Sequence, residues 1–266
     1  MKLTKPECQG GRRLMTWDDA FNFSCRPGID CFNSCCRDIT IFLSALDVVR
    51  LRKTLGVTST AFLHEYTHQI LSPVSGLPAV VLRMSDDEQK KCPFVTEQGC
   101  SVYENRPYSC RLYPLDTEQG VEYSFIVGTE TCHGLRETQD WTVERWRKDQ
   151  GLYAYDDIDH YLKDVMSADE VWERKIEDAR MQDMFMMAIY DVDRFREFVF
   201  ESSFLKKFRV DDDILDKIRQ DDVALLYFAG QWLRFAFFGK KGFLKIDRDY
   251  LEQKKRVVLG RKGMGA

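Results

Sequence analysis

Hydrophobic residues follow two different patterns along the chain, and the pattern changes near residue 136. Before that point the apolar stretches are short, and three of them, 37–43, 78–84 and 121–128, are rich in β-branched and aromatic residues. Such stretches predict short β-strands. The segment 91–114 lies between two of them and contains three cysteines, three prolines and a glycine. We expect an irregular loop there.

Helical spacing is the second pattern. Ser44 can cap a helix that Gly56 ends, and a second short helix is predicted for 59–68. From Trp141 to Phe238 the apolar residues recur at helical spacing, as at Phe185, Ile189, Val192, Phe195 and Val199. The acidic groups Asp211–Asp213 and Asp221–Asp222 precede apolar stretches, as at helix starts.

These patterns predict an α+β protein. A small cysteine-rich, loop-rich metal module with short strands is followed by a mainly helical half. We divide the sequence into an N-terminal leader (1–24), a cysteine-cluster module (25–135), a helical region (136–239) and a basic C-terminal tail (240–266). In the leader, Trp17, Phe21 and Phe23 are candidate anchors to the rest of the chain.

Composition and charge narrow the function classes. Of the 266 residues 44% are hydrophobic and 31% charged, which is typical of a folded soluble protein. No apolar stretch is long enough to span a membrane, and the N-terminal residues lack the apolar core of a secretory signal. We therefore expect a cytoplasmic protein. The net charge is −4, but the tail is basic, so a protein partner could bind to the tail or to the helical half; nucleic acid is not a favoured partner.

The cysteines carry the strongest chemical signal. Eight of the nine lie between Cys25 and Cys132, in segments rich in proline, glycine and arginine. Cytoplasmic thiols stay reduced, and thiolates are the preferred ligands of zinc and iron–sulfur clusters. We predict a metal site, or two, with the ligands Cys25, Cys31, Cys35, Cys36, Cys92, Cys100, Cys110 and Cys132. An iron–sulfur cluster is preferred over zinc, because the chain has no C-x2-C pair and aromatic residues flank the cysteines. Cys8 lies outside this set.

Arginines accompany these cysteines. Arg26, Arg37 and Arg111 each follow a cysteine, and Arg106 lies four residues before Cys110. Four thiolates around a divalent ion leave excess negative charge, so we expect these guanidinium groups to support the cofactor. If the backbone at the adjacent Cys35 and Cys36 is extended, their side chains point to opposite sides and serve different sites.

The cysteine motif resembles a known family. Cys-x3-Cys-Cys at 31–36, followed by a Cys-Pro-Phe, Gly-Cys and Arg-Pro-x-x-Cys-Arg segment, is similar to the zinc- or iron-chelating cysteine-cluster proteins (YkgJ-like, CxxCxxCC type). The matching residues are Cys92, Pro93, Phe94, Gly99, Cys100, Tyr103, Arg106, Pro107, Cys110, Arg111, Cys132 and Gly134. The resemblance covers about 25–135 and implies metal binding. Flagellin lysine N-methylase is a distant relative, which implies an S-adenosylmethionine-dependent protein-lysine N-methyltransferase as an alternative function.

One competing motif is H-E-x-x-H at His64, Glu65 and His68, with Glu88 as a candidate third ligand. On a helix this motif places two histidines on one face, as in zinc peptidases. Pro73 ends the predicted helix soon after His68, so a zinc peptidase is the less favoured alternative. We predict no catalytic residue and leave open whether the protein is an enzyme.

Overall fold

The chain forms two compact units. The computed structural model describes residues 14–118, 121–167, 175–240, 242 and 244–247. One unit, called here the cysteine unit, comprises Met1–Phe42 and Leu82–Asp156, and the other, the helical unit, comprises Leu43–Val81 and Asp157–Ala266. Helices and short antiparallel strands occur together, which confirms the predicted α+β class. No helix among the described residues is long and apolar enough to cross a membrane.

The cysteine unit is built from short elements connected by loops. Ala20–Asn22 pairs with Asp140–Thr142, Leu115–Glu118 with Glu122–Phe125, and Val95–Thr96 with Gly99–Cys100, all antiparallel. Its helical segments are the 3-10 turns Ser34–Cys36, Tyr103–Asn105 and His133–Arg136 and the α-helices Tyr108–Leu112 and Val143–Asp149. The strand predicted for 37–43 is restricted to Phe42–Leu43, and the one predicted for 121–128 is Glu122–Phe125.

Aromatic side chains form the core of the cysteine unit. The Phe23 and Trp146 rings meet edge to face with centroids 5.3 Å apart, and Phe21 contacts Trp146 in the same way. The Trp146 indole N–H donates to the Leu112 carbonyl at 3.1 Å. Because Trp17, Phe21 and Phe23 all make ring contacts within this unit, the described part of the predicted leader belongs to the cysteine unit.

A buried arginine lies among further rings. Arg147 is 1% exposed, pairs with Asp156, and packs its guanidinium 4.9 Å from the Trp17 ring centroid and 5.4 Å from that of Tyr123. The rings offset part of the desolvation of this cation, and Asp156 supplies the opposite charge.

In the helical unit, the first helix begins and ends at the capping residues that the sequence predicts. Ser44 accepts from the Asp47 amide at the start of the helix Ala45–Leu55, and Gly56 ends it in the left-handed conformation at φ 68°. The remaining helices are Ser59–Tyr66, Tyr153–Ser167 (which begins in the cysteine unit), Ala179–Ile189, Val192–Glu201, Phe204–Lys207, Asp212–Gln220 and Asp222–Phe238. Strands Thr67–Leu71 and Pro78–Leu82 form a sheet with Phe42–Leu43, and Phe208–Arg209 pairs with Lys245–Ile246.

The core of the helical unit joins residues from both of its chain segments. Ala45 and Val49 lie in one hydrophobic cluster with Phe195, Leu225 and Leu233. A buried carboxylate, Asp222, adds an ionic connection between three helices. Residues 43–81, which the sequence places in the cysteine module, therefore pack with the later helices, because the apolar face of Ala45–Leu55 is buried against them. Cys8 and the residues from 248 onward lie outside the described residues.

Candidate metal centre

Six of the eight predicted cysteine ligands line one cavity in the cysteine unit. The cavity has a volume of about 620 Å³, and the cysteines in its wall are Cys25, Cys35, Cys36, Cys92, Cys100 and Cys110. The remaining two, Cys31 and Cys132, are close enough to Cys25 to interact with it electrostatically. Residues that are more than a hundred positions apart in the sequence thus meet in one place.

The loop around Cys132 is fixed to the segment around Cys25 by main-chain contacts. The Ser24 amide donates to the Gly134 carbonyl at 3.0 Å, and the His133 amide donates to Cys31 Sγ at 3.2 Å. A Cβ atom at Gly134 would lie only 2.5 Å from the Ser24 carbonyl oxygen. Only glycine allows this approach without a backbone shift, which explains why a glycine follows the last cysteine.

A second set of contacts fixes the early cysteines to the hairpin 92–100. The Cys92 amide donates to the Cys36 carbonyl at 2.9 Å, and Asn33 Nδ2 donates to the Thr96 carbonyl at 2.9 Å. Gly99 occupies the left-handed region at φ 122°, and the Phe32 ring lies 3.2 Å from where its Cβ would be. A side chain at this turn would strain the backbone and displace Phe32, so glycine keeps Cys100 near the early cysteines.

Cys110 is held by the short helix Tyr108–Leu112 and by Arg111. The Arg111 guanidinium donates to three main-chain carbonyls, those of Arg106 at 2.9 Å, Gln150 at 2.8 Å and Glu104. Arg111 is only 9% exposed. One planar side chain thereby fixes the loop that precedes Cys110 and the end of the helix Val143–Asp149.

Cys35 and Cys36 are not extended. Both lie in the 3-10 turn Ser34–Cys36, and their thiols are hydrogen-bonded to each other. In a 3-10 turn consecutive side chains do not alternate between two sides as they do in a strand. Both cysteines therefore line the same cavity, and the condition for separate sites is not met.

Burial controls the protonation of these thiols. Burial, together with the neighbouring Cys35, Cys132 and Cys31, raises the pKa of Cys25 to about 11. The hydrogen bond with Cys36 and burial raise the pKa of Cys35, and burial does the same for the pKa of Cys92. Without a cation these thiols stay protonated at neutral pH, and a metal ion would take the place of their protons.

The four predicted arginines have different partners. Arg106 lines the cavity and interacts electrostatically with Cys25 and other thiols. Arg26 pairs with Glu137 at 2.9 Å, and Arg37 donates to Gln89 Oε1 at 3.0 Å. Arg111 donates hydrogen bonds to the three main-chain carbonyls described above. For Arg111 the structure adds a role in holding the loops, and the expectation that these guanidinium groups support the cofactor stays a prediction.

Two further groups contact the cysteine sulfurs, and neither was predicted as a sulfur partner from the sequence. The Tyr113 hydroxyl is hydrogen-bonded to Cys132, and burial together with this bond raises the pKa of Tyr113. The His133 main-chain amide binds Cys31, as noted. Hydrogen bonds to ligand sulfur orient the ligand and tune the metal. Tyr113 lies two residues after Arg111 in the cysteine motif, but no spacing rule points to its partner.

The donor set fits a soft metal by its chemistry. Thiols converge on one cavity, amide and hydroxyl donors reach two of the sulfurs, and a guanidinium lies beside them. As placed in the described part of the chain, no group of three or more histidine, cysteine, aspartate or glutamate side chains could hold a metal ion. The structure thus brings the predicted ligands together without the distances of a metal-bound site.

The H-E-x-x-H motif does not have the geometry of a zinc peptidase. His64 and Glu65 lie on the helix Ser59–Tyr66, but that helix ends before His68, which lies in the strand Thr67–Leu71. The predicted helix 59–68 is therefore two residues too long. Because His68 is on a strand, the two histidines do not share one helix face, and the zinc peptidase interpretation is wrong.

Comparison with known protein families agrees with the cysteine motif. Residues 24–133 match the family model CxxCxxCC, described as "Putative zinc- or iron-chelating domain". The match covers about two fifths of the chain and confirms the family resemblance of the cysteine module. Neither the curated proteins nor the solved structures contain a significant match to this chain.

Proposed function

We propose that the eight clustered cysteines of the cysteine unit supply the ligands of an iron–sulfur centre, with zinc as the alternative metal. Metal chelation is the described property of the domain that residues 24–133 match. The choice of an iron–sulfur cluster is our inference. The observation that carries it is a single cavity with six thiols in its wall and two more beside it.

The cavity supports a polynuclear group over a single ion. A structural zinc ion is bound by four ligands in direct contact with it and needs no cavity. Here six thiols line one space of about 620 Å³, and a [2Fe–2S] or [4Fe–4S] cluster would take four cysteine ligands. Iron–sulfur clusters are larger, take cysteine thiolates on several iron atoms, and depend on hydrogen bonds to sulfur such as those to Cys31 and Cys132.

Cys35 is the cysteine that best tests the proposal. It interacts electrostatically with Cys25 and also with Cys92 and Cys100, and its thiol bonds to Cys36. The Cys35→Ser substitution removes the thiol common to both groups. Cys8→Ser is the matched control, because Cys8 is the one cysteine outside the motif.

The experiment is anaerobic purification of the full chain, followed by metal analysis, acid-labile sulfide analysis and visible absorption. We expect iron and sulfide in the wild type and in Cys8→Ser, with charge-transfer absorption that Cys35→Ser weakens or loses. Stoichiometric zinc without iron would contradict the cluster and show that the cysteines bind zinc. Neither metal in the wild type, or equal metal loss in both variants, contradicts the proposal.

A further inference from the structure

Part of the cavity lining, called here the apolar wall, carries no sulfur. Trp141 and Trp146 line it, together with Phe23 and the aliphatic side chains of Ile39, Leu82 and Ile126. A volume of about 620 Å³ is within the range of small-molecule sites, which are mostly apolar with a few convergent polar groups. Phe23 and Trp146 also belong to the core of the cysteine unit, and metal ligation by the thiols does not itself use the apolar wall.

One cation faces this space in a fixed position. Arg106 lines the cavity and stacks on the Tyr103 ring, with the guanidinium carbon 4.2 Å from the ring centroid. Its side chain donates to the neutral amide of Gln150. Arg111 holds both neighbours of this contact, since it donates to the main-chain carbonyls of Arg106 and Gln150.

Arg106 has no acidic partner within the part of the chain that the structure describes. Among the ion pairs of the described residues, Arg52, Arg147 and Arg196 each contact a carboxylate, whereas Arg106 contacts none. A preorganised guanidinium with free donors suits a carboxylate, which it can bind through two parallel hydrogen bonds. The carboxylate of Asp149 also lines the cavity and opposes negative charge there, so we expect no ligand charge beyond the one carboxylate that Arg106 binds.

We propose that this wall binds a small aromatic monocarboxylate, with its carboxylate on Arg106 and its ring against Trp141 and Trp146. Indole and phenyl rings pack edge to face or offset against one another, as Trp141 and Trp146 already do at 5.2 Å. The proposal uses the apolar wall and Arg106, which also lies near Cys25 and Cys35, and it goes beyond the proposed metal binding. The two occupy one cavity, so the ligand lies beside the metal centre.

The test is calorimetric titration of the purified full chain with three probes of one ring system: indole-3-acetate, indole-3-acetamide and tryptamine. We expect the acid to bind at least roughly tenfold more tightly than the amide, because a charge-assisted hydrogen bond is lost with the amide. Arg106→Gln should remove this preference, and Arg106→Lys should retain part of it. Arg136→Gln is the control, an exposed cation of the same unit that does not line the cavity.

Circular dichroism and thermal melting of each variant establish that it is folded. Equal binding of the acid and the amide, tighter binding of tryptamine, or no binding of any probe at millimolar concentration overturns the proposal. An unchanged acid preference in Arg106→Gln overturns it too. Metal content is measured on the same samples, so the absence of metal is recorded separately from the absence of probe binding.

Discussion

Asp222 is the residue whose replacement should cost the helical unit most. It is the first residue of the helix Asp222–Phe238 and is 2% exposed. Its carboxylate contacts Arg52, Lys53 and Arg196, with Lys53 Nζ 2.9 Å from Oδ2. Burial would raise the pKa of Asp222, but hydrogen bonds from Lys53 and Arg196 and the charge of Arg52 outweigh it and hold the pKa below its usual value.

Asp222→Asn keeps the size of the side chain and removes the charge. Two largely buried guanidinium groups then lose their shared counter-ion, although Asp193 still contacts both, at 3.1 Å from Arg52 and 3.2 Å from Arg196. Breaking a buried ion pair by removing one partner costs about 3–5 kcal/mol. With Asp193 in place we expect a loss of about 3 kcal/mol in the free energy of unfolding of this unit.

Urea denaturation followed by circular dichroism measures this loss. Asp221→Asn is the matched control, because Asp221 caps the same helix through the Val223 and Ala224 amides and asparagine caps a helix about as well. A carboxyl group with a lowered folded-state pKa stabilises above its unfolded pKa and loses that contribution as the pH falls. The difference between wild type and Asp222→Asn should therefore be full near pH 7 and shrink below about pH 4.

Two results would refute this reasoning. If Asp222→Asn is no less stable than Asp221→Asn, the charge of Asp222 does not stabilise the fold through its three cationic partners. If the difference persists unchanged well below the usual titration range of aspartate, the stabilisation does not come from the ionised carboxylate.

Three further predictions concern the cysteine unit. Gly134→Ala should reduce bound metal, measured by elemental analysis, because its Cβ meets the Ser24 carbonyl. Gly128→Ala should not, because the atoms nearest to its Cβ belong to the flexible Glu130 side chain. Arg111→Lys should lower the free energy of unfolding by about 2 kcal/mol or more, since lysine cannot donate to all three carbonyls. Thermal melting measures this loss, and an unchanged melting temperature contradicts the prediction. Tyr113→Phe should leave the fold intact and lower the reduction potential of a bound cluster, because it removes the hydrogen bond to Cys132. A redox titration measures the potential, and an unchanged value contradicts the prediction.

Local structure was largely predictable from the sequence. Ser44 and Gly56 enclose a helix, and Asp221 begins another, because caps and glycine stops act on neighbouring backbone groups. The boundary of the helix that starts at Ser59 was not predictable. Its helical spacing continues to His68, but the backbone becomes a strand at Thr67 and joins Pro78–Leu82 in a sheet. Pairing with the following strand, in a sheet that also contains Phe42–Leu43, outweighs a weak helical preference.

The sequence by itself determined the type of chemistry, because eight cysteines among prolines, glycines and arginines have few other uses than metal binding. Only the tertiary structure decided which groups act together. It separated Arg106, which faces the cavity, from Arg111, which holds main-chain carbonyls, although both stand near Cys110 in sequence. It also placed the residue after Cys132 beside Cys31, where the His133 amide donates to Cys31 Sγ. Spacing specifies which residues are neighbours along the chain, whereas the direction of a side chain and its distant partners depend on packing of the whole unit.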